Sequence, residues 1–361
     1  MKRLIVANTF YQIIFSIQMR KTIFKEDWVE LIITDHSKNA LNVASELKKF
    51  GFFNDVHFVR TLGSLDNRGK TQRVIDALSI SFLKSNEFDF YIKDIKDPFF
   101  DEFMVFNYDI RMYGVFAILS NFNHNIKLSR FEEGILSYNT EKLYTPTHKI
   151  VSALRKIQKK NTAEESTLNF YCYYPDLYMG KFQKVKVPLI EKSEFLTKLL
   201  QQSFGFNESN MRYSQKYIFF TSVYDFEGGN PIGEYELVCK VANLVGKDNL
   251  LVKIHPRDYR TIYADHGFNV DENSAVPWEA IQLAGDFSEK VFLTVNSGSV
   301  LAGSIISKKP VHTFYMYKLC NIKENVSCKK NVRDIESLLK NEDMKDILQK
   351  VDIAEKLEDI L

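Results

Sequence analysis

NLLVKIHPRD (residues 249–258) joins an apolar run directly to a polar turn. A leucine- and valine-rich run that stops before a proline predicts a buried parallel strand. His255 then lies at the carboxyl end of that strand, where open α/β sheets bind their ligands. Pro256 fixes the direction in which the chain leaves, and Arg257 adds a permanent positive charge. The alternative is structural, with His255 capping the strand at a helix–sheet junction.

Strands and helices alternate on both sides of this stretch. One alternating series runs from the first residues to about 130, and a second runs from 217 to 317. This pattern predicts parallel sheets covered by helices on both faces, and hence an α/β protein of two Rossmann-like domains. The predicted strands are 3–7, 29–35, 55–61, 88–95, 125–130, 217–221, 249–254, 268–270, 290–295 and 311–317. The main predicted helices are 40–51, 69–84, 110–121, 234–246, 277–285 and 299–306.

Size and composition are those of a globular protein of two domains. The chain has 361 residues, of which 45% are hydrophobic and 26% are charged. Its formal net charge of +2 argues against a dedicated nucleic-acid binder. The four cysteines show no Cys-x-x-Cys spacing, and polar residues interrupt the apolar N-terminal run. We therefore predict reduced thiols, no signal peptide and a cytoplasmic location.

The segment 148–160 predicts a basic amphipathic helix. Ile150, Val151, Leu154 and Ile157 share one face of it, and four basic residues lie elsewhere. Those basic residues are Arg155, Lys156, Lys159 and Lys160. Such a helix either contacts an anionic membrane or packs as an ordinary surface helix on its domain.

Polar residues follow several of the predicted strands. Asn296-Ser297-Gly298-Ser299 lies between a strand and a helix, where hydroxyls, backbone N–H groups and the helix dipole favour a phosphate. A plain helix cap explains the same serines without a ligand. Glu132-Glu133-Gly134 follows a strand of the N-terminal half, as a functional triplet or as a solvated turn.

Taken together, these motifs resemble those of bacterial sialyltransferases. The acidic pair with glycine, the His255-Pro256 dipeptide and the serines at 297 and 299 are most similar to glycosyltransferase family 52, the lipooligosaccharide and capsule sialyltransferase group. The opening LIVANTFYQ also resembles the first strand and turn of that family. The pattern covers residues 4 to about 310.

The resemblance implies a glycosyltransferase-B fold with two domains facing a central cleft. Residues 1–200 form the acceptor side and include the basic helix, 201–330 bind the nucleotide sugar, and 331–361 are helices that brace the two halves. The implied activity is inverting transfer of sialic acid from CMP-sialic acid to a terminal hydroxyl of a surface glycan. Alternatives are transfer of another sugar, such as glucose or a different nonulosonic acid, and a non-catalytic nucleotide-sugar-binding subunit.

The resemblance also assigns roles to single residues. His255 matches the histidine that assists departure of the phosphate, and Ser297 and Ser299 match the hydroxyls that hold it. Asp225 lies where the family places its catalytic base, with Glu227 and Glu133 as alternatives. The further donor-binding residues are Asn296, Gly298, Glu279 at the ribose, Pro256 and Arg257. The acceptor-side residues are Asn8, Thr9, Glu132 and Gly134. The acidic pair is Glu-Glu where the family usually has an aspartate. The role of Glu133 is therefore left open between structure, acceptor binding and catalysis.

No cofactor is expected. The leaving group is a monophosphate held by hydroxyls, amides and His255, so a divalent metal is not needed to neutralise it, and the sequence has no clear Asp-x-Asp site. The expected partners are CMP-sialic acid and a lipid-linked glycan acceptor, with peripheral contact at the inner face of the cytoplasmic membrane. A homodimer is left open.

Overall fold

A computed structural model describes residues 1–61, 75, 78, 91–107, 109–134, 137–138, 146–207, 213–271 and 276–361. The chain divides into two compact units, Met1–Pro188 and Leu189–Leu361. The predicted helix at 69–84 lies outside the described residues, apart from Ile75 and Leu78, which are helical. Residues 88–90 of the predicted strand 88–95 also lie outside the described residues.

The first unit is built on a parallel sheet. In its described residues seven strands lie in the order β3-β2-β1-β4-β5-β6-β7. They are β1 (Lys2–Ala7), β2 (Trp28–Thr34), β3 (Asp55–Val59), β4 (Glu102–Val105), β5 (Lys127–Phe131), β6 (Thr167–Cys172) and β7 (Gln183–Lys186). The strand order reverses between β1 and β4, which makes their carboxyl ends the switch point where such sheets bind ligands.

Helices cover this sheet. They are α1 (Phe10–Lys21), α2 (Ala40–Phe50), α3 (Ile110–Phe122), α4 (Pro146–Ile157) and the short α5 (Ala163–Ser166). The α3 side chains Tyr113 and Phe116 are fully buried with Phe103 of β4. The sequence IRMYGVFAILSNF of α3 is apolar on nearly all sides, which is typical of a helix enclosed by a core.

The second unit repeats the design. In its described residues the parallel strands lie in the order β10-β9-β8-β11-β12-β13. They are β8 (Tyr217–Phe220), β9 (Leu250–Lys253), β10 (Asn269–Val270), β11 (Val291–Thr294), β12 (His312–Tyr315) and β13 (Val351–Ile353). The helices are α6 (Glu194–Phe204), α7 (Glu234–Val245), α8 (Ile262–Asp265), α9 (Trp278–Ala284), α10 (Ala302–Ser307) and α11 (Val326–Leu339). The switch point of this sheet lies between β8 and β11.

The predicted fold class, an α/β protein with a parallel sheet in each of two domains, is confirmed. The predicted strand at 88–95 is wrong for residues 91–95, which form a turn; the strand is β4 instead. Lys93 and Asp94 cannot be buried in a central strand, whereas all four residues of β4 are buried. The region between 140 and 215, predicted to lack alternation, supplies β6 and β7.

Two further expectations differ from the structure. The units divide after Pro188 and not at 200. The segment 331–361 belongs to the second unit and is not wholly helical, because Val351–Ile353 pair with β12 and extend the second sheet. Edge pairing of this kind needs only three residues, too few to leave a periodic pattern.

Candidate functional site

The carboxyl ends of β9, β8 and β11 bring the predicted donor residues of the second unit to one edge. β8 pairs with β9 on one side and with β11 on the other. The ends of β9 and β11 are therefore about 10 Å apart, two strand spacings. His255 follows β9, and Asn296-Ser297-Gly298-Ser299 follows β11. At this spacing His255 and the serines after β11 can contact opposite sides of one phosphate.

His255 is half-buried and held in one orientation. Its backbone N–H donates to the Thr221 hydroxyl at 2.9 Å, and its Nδ1 accepts the Arg257 backbone N–H at 3.1 Å. Since Nδ1 is an acceptor, a neutral ring carries its proton on Nε2. Burial, followed by the charge of Arg257, lowers the pKa of His255. Nε2–H has no hydrogen-bond partner among the described residues and can donate to a ligand.

The serine turn after β11 is a short cap. The Ser297 backbone N–H donates to the Thr294 hydroxyl at 2.9 Å, and the Ser297 hydroxyl accepts the Ser299 N–H at 3.4 Å. The helix cap considered from the sequence is thus present, although its hydrogen bond is long. The half-buried Ser299 hydroxyl has no partner within the described part of the chain. An added Cβ on the exposed Gly298 would meet nothing within 4 Å.

Asn296 is buried beneath this turn. Its Nδ2 lies 3.4 Å from Cys328 Sγ, and its side chain hydrogen-bonds to the Tyr224 hydroxyl. Asn296 therefore supports the turn from below, and its predicted contact with the donor is not available from this position without displacing those partners.

Arg257 and Glu227 form an exposed ion pair. Arg257 Nη1 lies 2.9 Å from Glu227 Oε2, with side chains 64% and 40% exposed. Exposed pairs of this kind contribute little to stability, so a phosphate can exchange with Glu227 for the guanidinium. Pro256 is exposed beside them.

Glu279 lies in the first turn of α9. Burial raises the pKa of Glu279, and the charge of Lys253 opposes that rise. Lys253 itself is buried, pairs with Asp271 at 2.5 Å and lies 5.4 Å from the Trp278 ring centroid. Glu279 is thus close to the end of β9, compatible with its predicted place at the ribose.

Asp225, the base that the resemblance implies, caps a helix in the structure. Its Oδ1 accepts the backbone N–H groups of Ile232, Gly233 and Glu234 at 3.0–3.2 Å, and Oδ2 accepts that of Tyr235 at 3.2 Å. These four donors lie at the start of α7 and just before it, where backbone N–H groups have no partner within the helix. A carboxylate committed to capping a helix is poorly placed to take a proton from an acceptor hydroxyl.

We expect Asp225→Asn to keep the transfer activity that the resemblance implies within a few-fold of wild type, because an amide oxygen still caps α7. Asp225→Ala should lower the free energy of unfolding by about 1–2 kcal/mol, the usual cost of losing a cap. Urea unfolding measures the second effect, and release of CMP, the product that the resemblance implies, measures the first. An inactive but normally stable Asp225→Asn protein would restore Asp225 as the base.

Sequence reasoning missed two residues that fix the loop after β8. Fully buried Glu234 accepts the Ser222 backbone N–H at 2.8 and 3.0 Å. Burial raises the pKa of Glu234 to about 8. Asn325, also fully buried, donates through Nδ2 to the carbonyl oxygens of Tyr224, Glu227 and Asn230, each at 3.1 Å. The only sequence signal was their place at helix starts.

In the first unit, Glu132 is fully buried and faces the core. It accepts the Tyr11 hydroxyl at 2.5 Å, the Tyr173 N–H at 2.8 Å and the Tyr138 hydroxyl. Burial raises the pKa of Glu132 to about 7, against the effect of these donors. This corrects its predicted acceptor-side role, because the carboxylate is closed to solvent.

Glu133 points the other way and is half-buried. Its carboxylate is hydrogen-bonded by the side chains of Thr9 and Gln12, and burial raises its pKa. Gln12 is oriented by the Asn8 backbone N–H, which donates to its Oε1 at 2.6 Å. The first turn of α1 thus holds a carboxylate at the switch point between β1 and β4.

The remaining acceptor-side residues complete this edge. The Asn8 side chain accepts the Thr34 hydroxyl at 2.8 Å, which joins the ends of β1 and β2. Thr9 is the N-cap of α1. Gly134 has φ 88°, a left-handed conformation that a glycine adopts without strain, and it turns the chain immediately after Glu133. The structure therefore brings Asn8, Thr9, Glu133 and Gly134 together.

The described part of the chain contains no group of three or more His, Cys, Asp or Glu side chains that could hold a metal ion. None of its helices is long and apolar enough to cross a membrane. All four cysteines are free thiols.

No family model and no curated protein matches the chain. Similar solved structures include the calicheamicin glycosyltransferase CalG4, at 10% identity over 97% of this chain and 94% of that chain, with a TM-score of 0.48. A putative UDP-N-acetylglucosamine 2-epimerase from Listeria monocytogenes matches at 11% identity over 96% and 90%, with a TM-score of 0.48. The UDP-GlcNAc 2-epimerase from Neisseria meningitidis, bound to UDP-GlcNAc, matches at 13% over 98% and 95%, with a TM-score of 0.45. Likeness at this level carries no argument about activity, donor or acceptor.

Proposed function

We propose that this chain is a glycosyltransferase, specifically an inverting, metal-independent sialyltransferase. It moves sialic acid from CMP-sialic acid to a terminal sugar hydroxyl of a bacterial lipooligosaccharide or capsule. The observation that carries the proposal is the pair of unpartnered polar groups, His255 Nε2–H and the Ser299 hydroxyl, at the carboxyl ends of β9 and β11. The motif resemblance to sialyltransferases supports the choice of donor.

The leaving group determines what this edge must do. As the acceptor oxygen attacks the anomeric carbon, the bond to the phosphate oxygen breaks and negative charge grows on the phosphate. His255 donates a hydrogen bond to that charge from Nε2, and the serine turn adds hydroxyl and N–H donors. Because Nδ1 accepts the Arg257 N–H, the neutral ring donates from Nε2 and does not need to gain a second proton. A monophosphate stabilised in this way does not require a divalent metal.

We place the base at Glu133 and not at Asp225 or Glu227. Glu133 is partly accessible, burial raises its pKa, and Thr9 and Gln12 fix its orientation. Asp225 is occupied by helix capping, and Glu227 by Arg257. One direct displacement inverts the anomeric centre.

A donor comparison tests the proposal. We expect CMP at about 100 times its Kd to raise the Tm by about 5 °C or more, and UDP and GDP to raise it less. CMP release from CMP-sialic acid, measured over a panel of glycan acceptors, should persist in EDTA. Stronger stabilisation by UDP or GDP would identify a different sugar donor. CMP binding without release would identify a non-catalytic binder, and EDTA inhibition reversed by magnesium would contradict the metal-free mechanism.

Gly298→Ala provides the matched variant for this test. An added methyl meets no protein atom within 4 Å, so the Tm without ligand should stay unchanged. If the turn holds the phosphate at close range, the same methyl should weaken CMP binding about tenfold or more. Unchanged CMP affinity in this variant would leave the turn as a helix cap only.

A further inference from the structure

Helix α4 (Pro146–Ile157) is amphipathic, but its buried side is mainly polar and one of its exposed sides is apolar. Its buried side carries His148, Val151, Ser152 and Arg155, and Arg155 is fully inaccessible. This corrects the predicted basic patch, because Arg155 is not part of any surface. The opposite side carries Ile150, Ala153, Leu154 and Ile157, which we call the apolar stripe. These positions follow the i, i+3, i+4, i+7 spacing of one helix face.

The apolar stripe is open to solvent. Ile157 is 79% exposed, Ile150 is 45% exposed, Ala153 is exposed and Leu154 is half-buried. Scattered single apolar residues are normal on a protein surface, but a continuous apolar helix face marks an interaction site.

Specific hydrogen bonds hold the helix in this orientation. Arg155 Nε donates to the Asn161 carbonyl oxygen at 2.6 Å, and its Nη2 donates to the Ser120 hydroxyl at 2.8 Å. The Ser152 hydroxyl bonds the Tyr113 hydroxyl at 2.8 Å and also contacts Glu164. Rotation of α4 to bury the apolar stripe would break all of these bonds and expose Val151, which packs in the hydrophobic core. The outward apolar face is therefore built into the fold.

Positive charge surrounds the apolar stripe. Lys149 lies on the helix, and Lys159 and Lys160 follow directly after it. Lys156 is exposed and pairs with the exposed Glu165 at 2.8 Å. Among the described residues the four lysines outnumber the nearby carboxylates Glu164 and Glu165, which both act on Lys156. Hydrogen bonds from Asn161 to His124 and from Arg155 to Ser120 also place the end of α3 beside the end of α4. That end carries Phe122, which is 50% exposed.

We propose that the apolar stripe of α4 docks this protein on an anionic lipid bilayer. The helix lies in the plane of the membrane, with Ile150, Leu154 and Ile157 at the boundary between headgroups and acyl chains. The four lysines contact headgroup phosphates. A second copy of the chain fits the apolar stripe less well, because it would bring four more lysines against the first four. This surface shares no residue with the proposed donor site, and its test does not depend on activity.

Co-sedimentation of the full chain with vesicles tests the proposal. We expect binding to phosphatidylcholine vesicles containing roughly one third phosphatidylglycerol, little binding to pure phosphatidylcholine, and loss of binding at about 0.5 M salt. Ile157→Ser should lower the partition coefficient about tenfold. Lys159→Gln and Lys160→Gln should each lower it roughly fivefold.

Val326→Ser is the matched control. Val326 is 76% exposed on α11 of the second unit, close to the 79% of Ile157. Its partition coefficient should equal that of wild type, and urea unfolding should show all four variants folded. Equal binding of wild type to neutral and anionic vesicles, or unchanged binding of Ile157→Ser, would overturn the proposal. So would a dimer that Ile157→Ser dissociates, since the apolar stripe would then bind a second copy.

Discussion

Glu133→Gln should lower kcat for transfer by roughly 10²–10⁴-fold, the usual contribution of a general base. Glutamine keeps the shape of the side chain and the hydrogen bonds from Thr9 and Gln12, but it cannot take a proton. CMP affinity should stay within a few-fold of wild type, because the base contacts the acceptor and not the nucleotide. Steady-state CMP release and CMP calorimetry measure the two quantities.

The pH profile separates a base from a structural carboxylate. A base acts when deprotonated, so kcat/KM of wild type should rise with pH through the pKa of Glu133, which burial raises above its ordinary value. Thr9→Val removes a hydrogen bond that lowers this pKa and should move the rise to higher pH. Thr9→Ser keeps the hydroxyl and should not. A Glu227→Gln protein that is inactive beside an active Glu133→Gln protein would place the base at 227.

His255→Ala should lower kcat by roughly 10²-fold or more while CMP still binds, because the variant loses the Nε2–H donor to the leaving phosphate. His255→Gln restores a donor N–H near the Nε2 position and should recover part of the activity. His266→Ala removes an exposed histidine of the same unit and is the matched control. Unchanged turnover in His255→Ala would remove His255 from the mechanism.

Proton uptake gives an independent measure of His255. Burial lowers its pKa, and Nδ1 accepts the Arg257 N–H, so the ring should stay neutral and donate from Nε2 when CMP binds. The proton uptake on CMP binding should therefore be the same in wild type and in His255→Ala, since only the phosphate of CMP titrates. Calorimetry in two buffers of different ionisation enthalpy measures the uptake. A larger uptake in wild type would show that the bound ring is protonated.

The fold class was predictable because its signals are local. Central strands of a parallel sheet are buried on both faces, so they appear as short apolar runs such as Leu250–Lys253, and each ends at a polar turn. Placing His255 and Ser297-Gly298-Ser299 at strand ends followed from the same pattern. Their position at the same edge of the second sheet also depends on the order of the strands. The alternation of strands and helices predicts a parallel sheet but not that order.

Asp225 and Glu133 could not be ranked from the sequence. The N–H groups that occupy Asp225 lie seven to ten residues further on, and only the path of the loop brings them back. Glu132 and Glu133 are neighbours, so an extended chain points them to opposite sides. Which of them is inside depends on Tyr11, Tyr138 and Tyr173, whose positions no local pattern gives.

The sequence by itself determined two parallel α/β units, a histidine and a serine turn at strand ends, and an amphipathic helix near 148–160. The tertiary structure alone decided which face of that helix is buried, which carboxylate is open to solvent, and which one caps α7. The physical reason is the same in each case. Apolar periodicity is written along a few consecutive residues, whereas the burial of a polar group depends on hydrogen-bond partners from distant segments, as Ser120 and Asn161 are for Arg155.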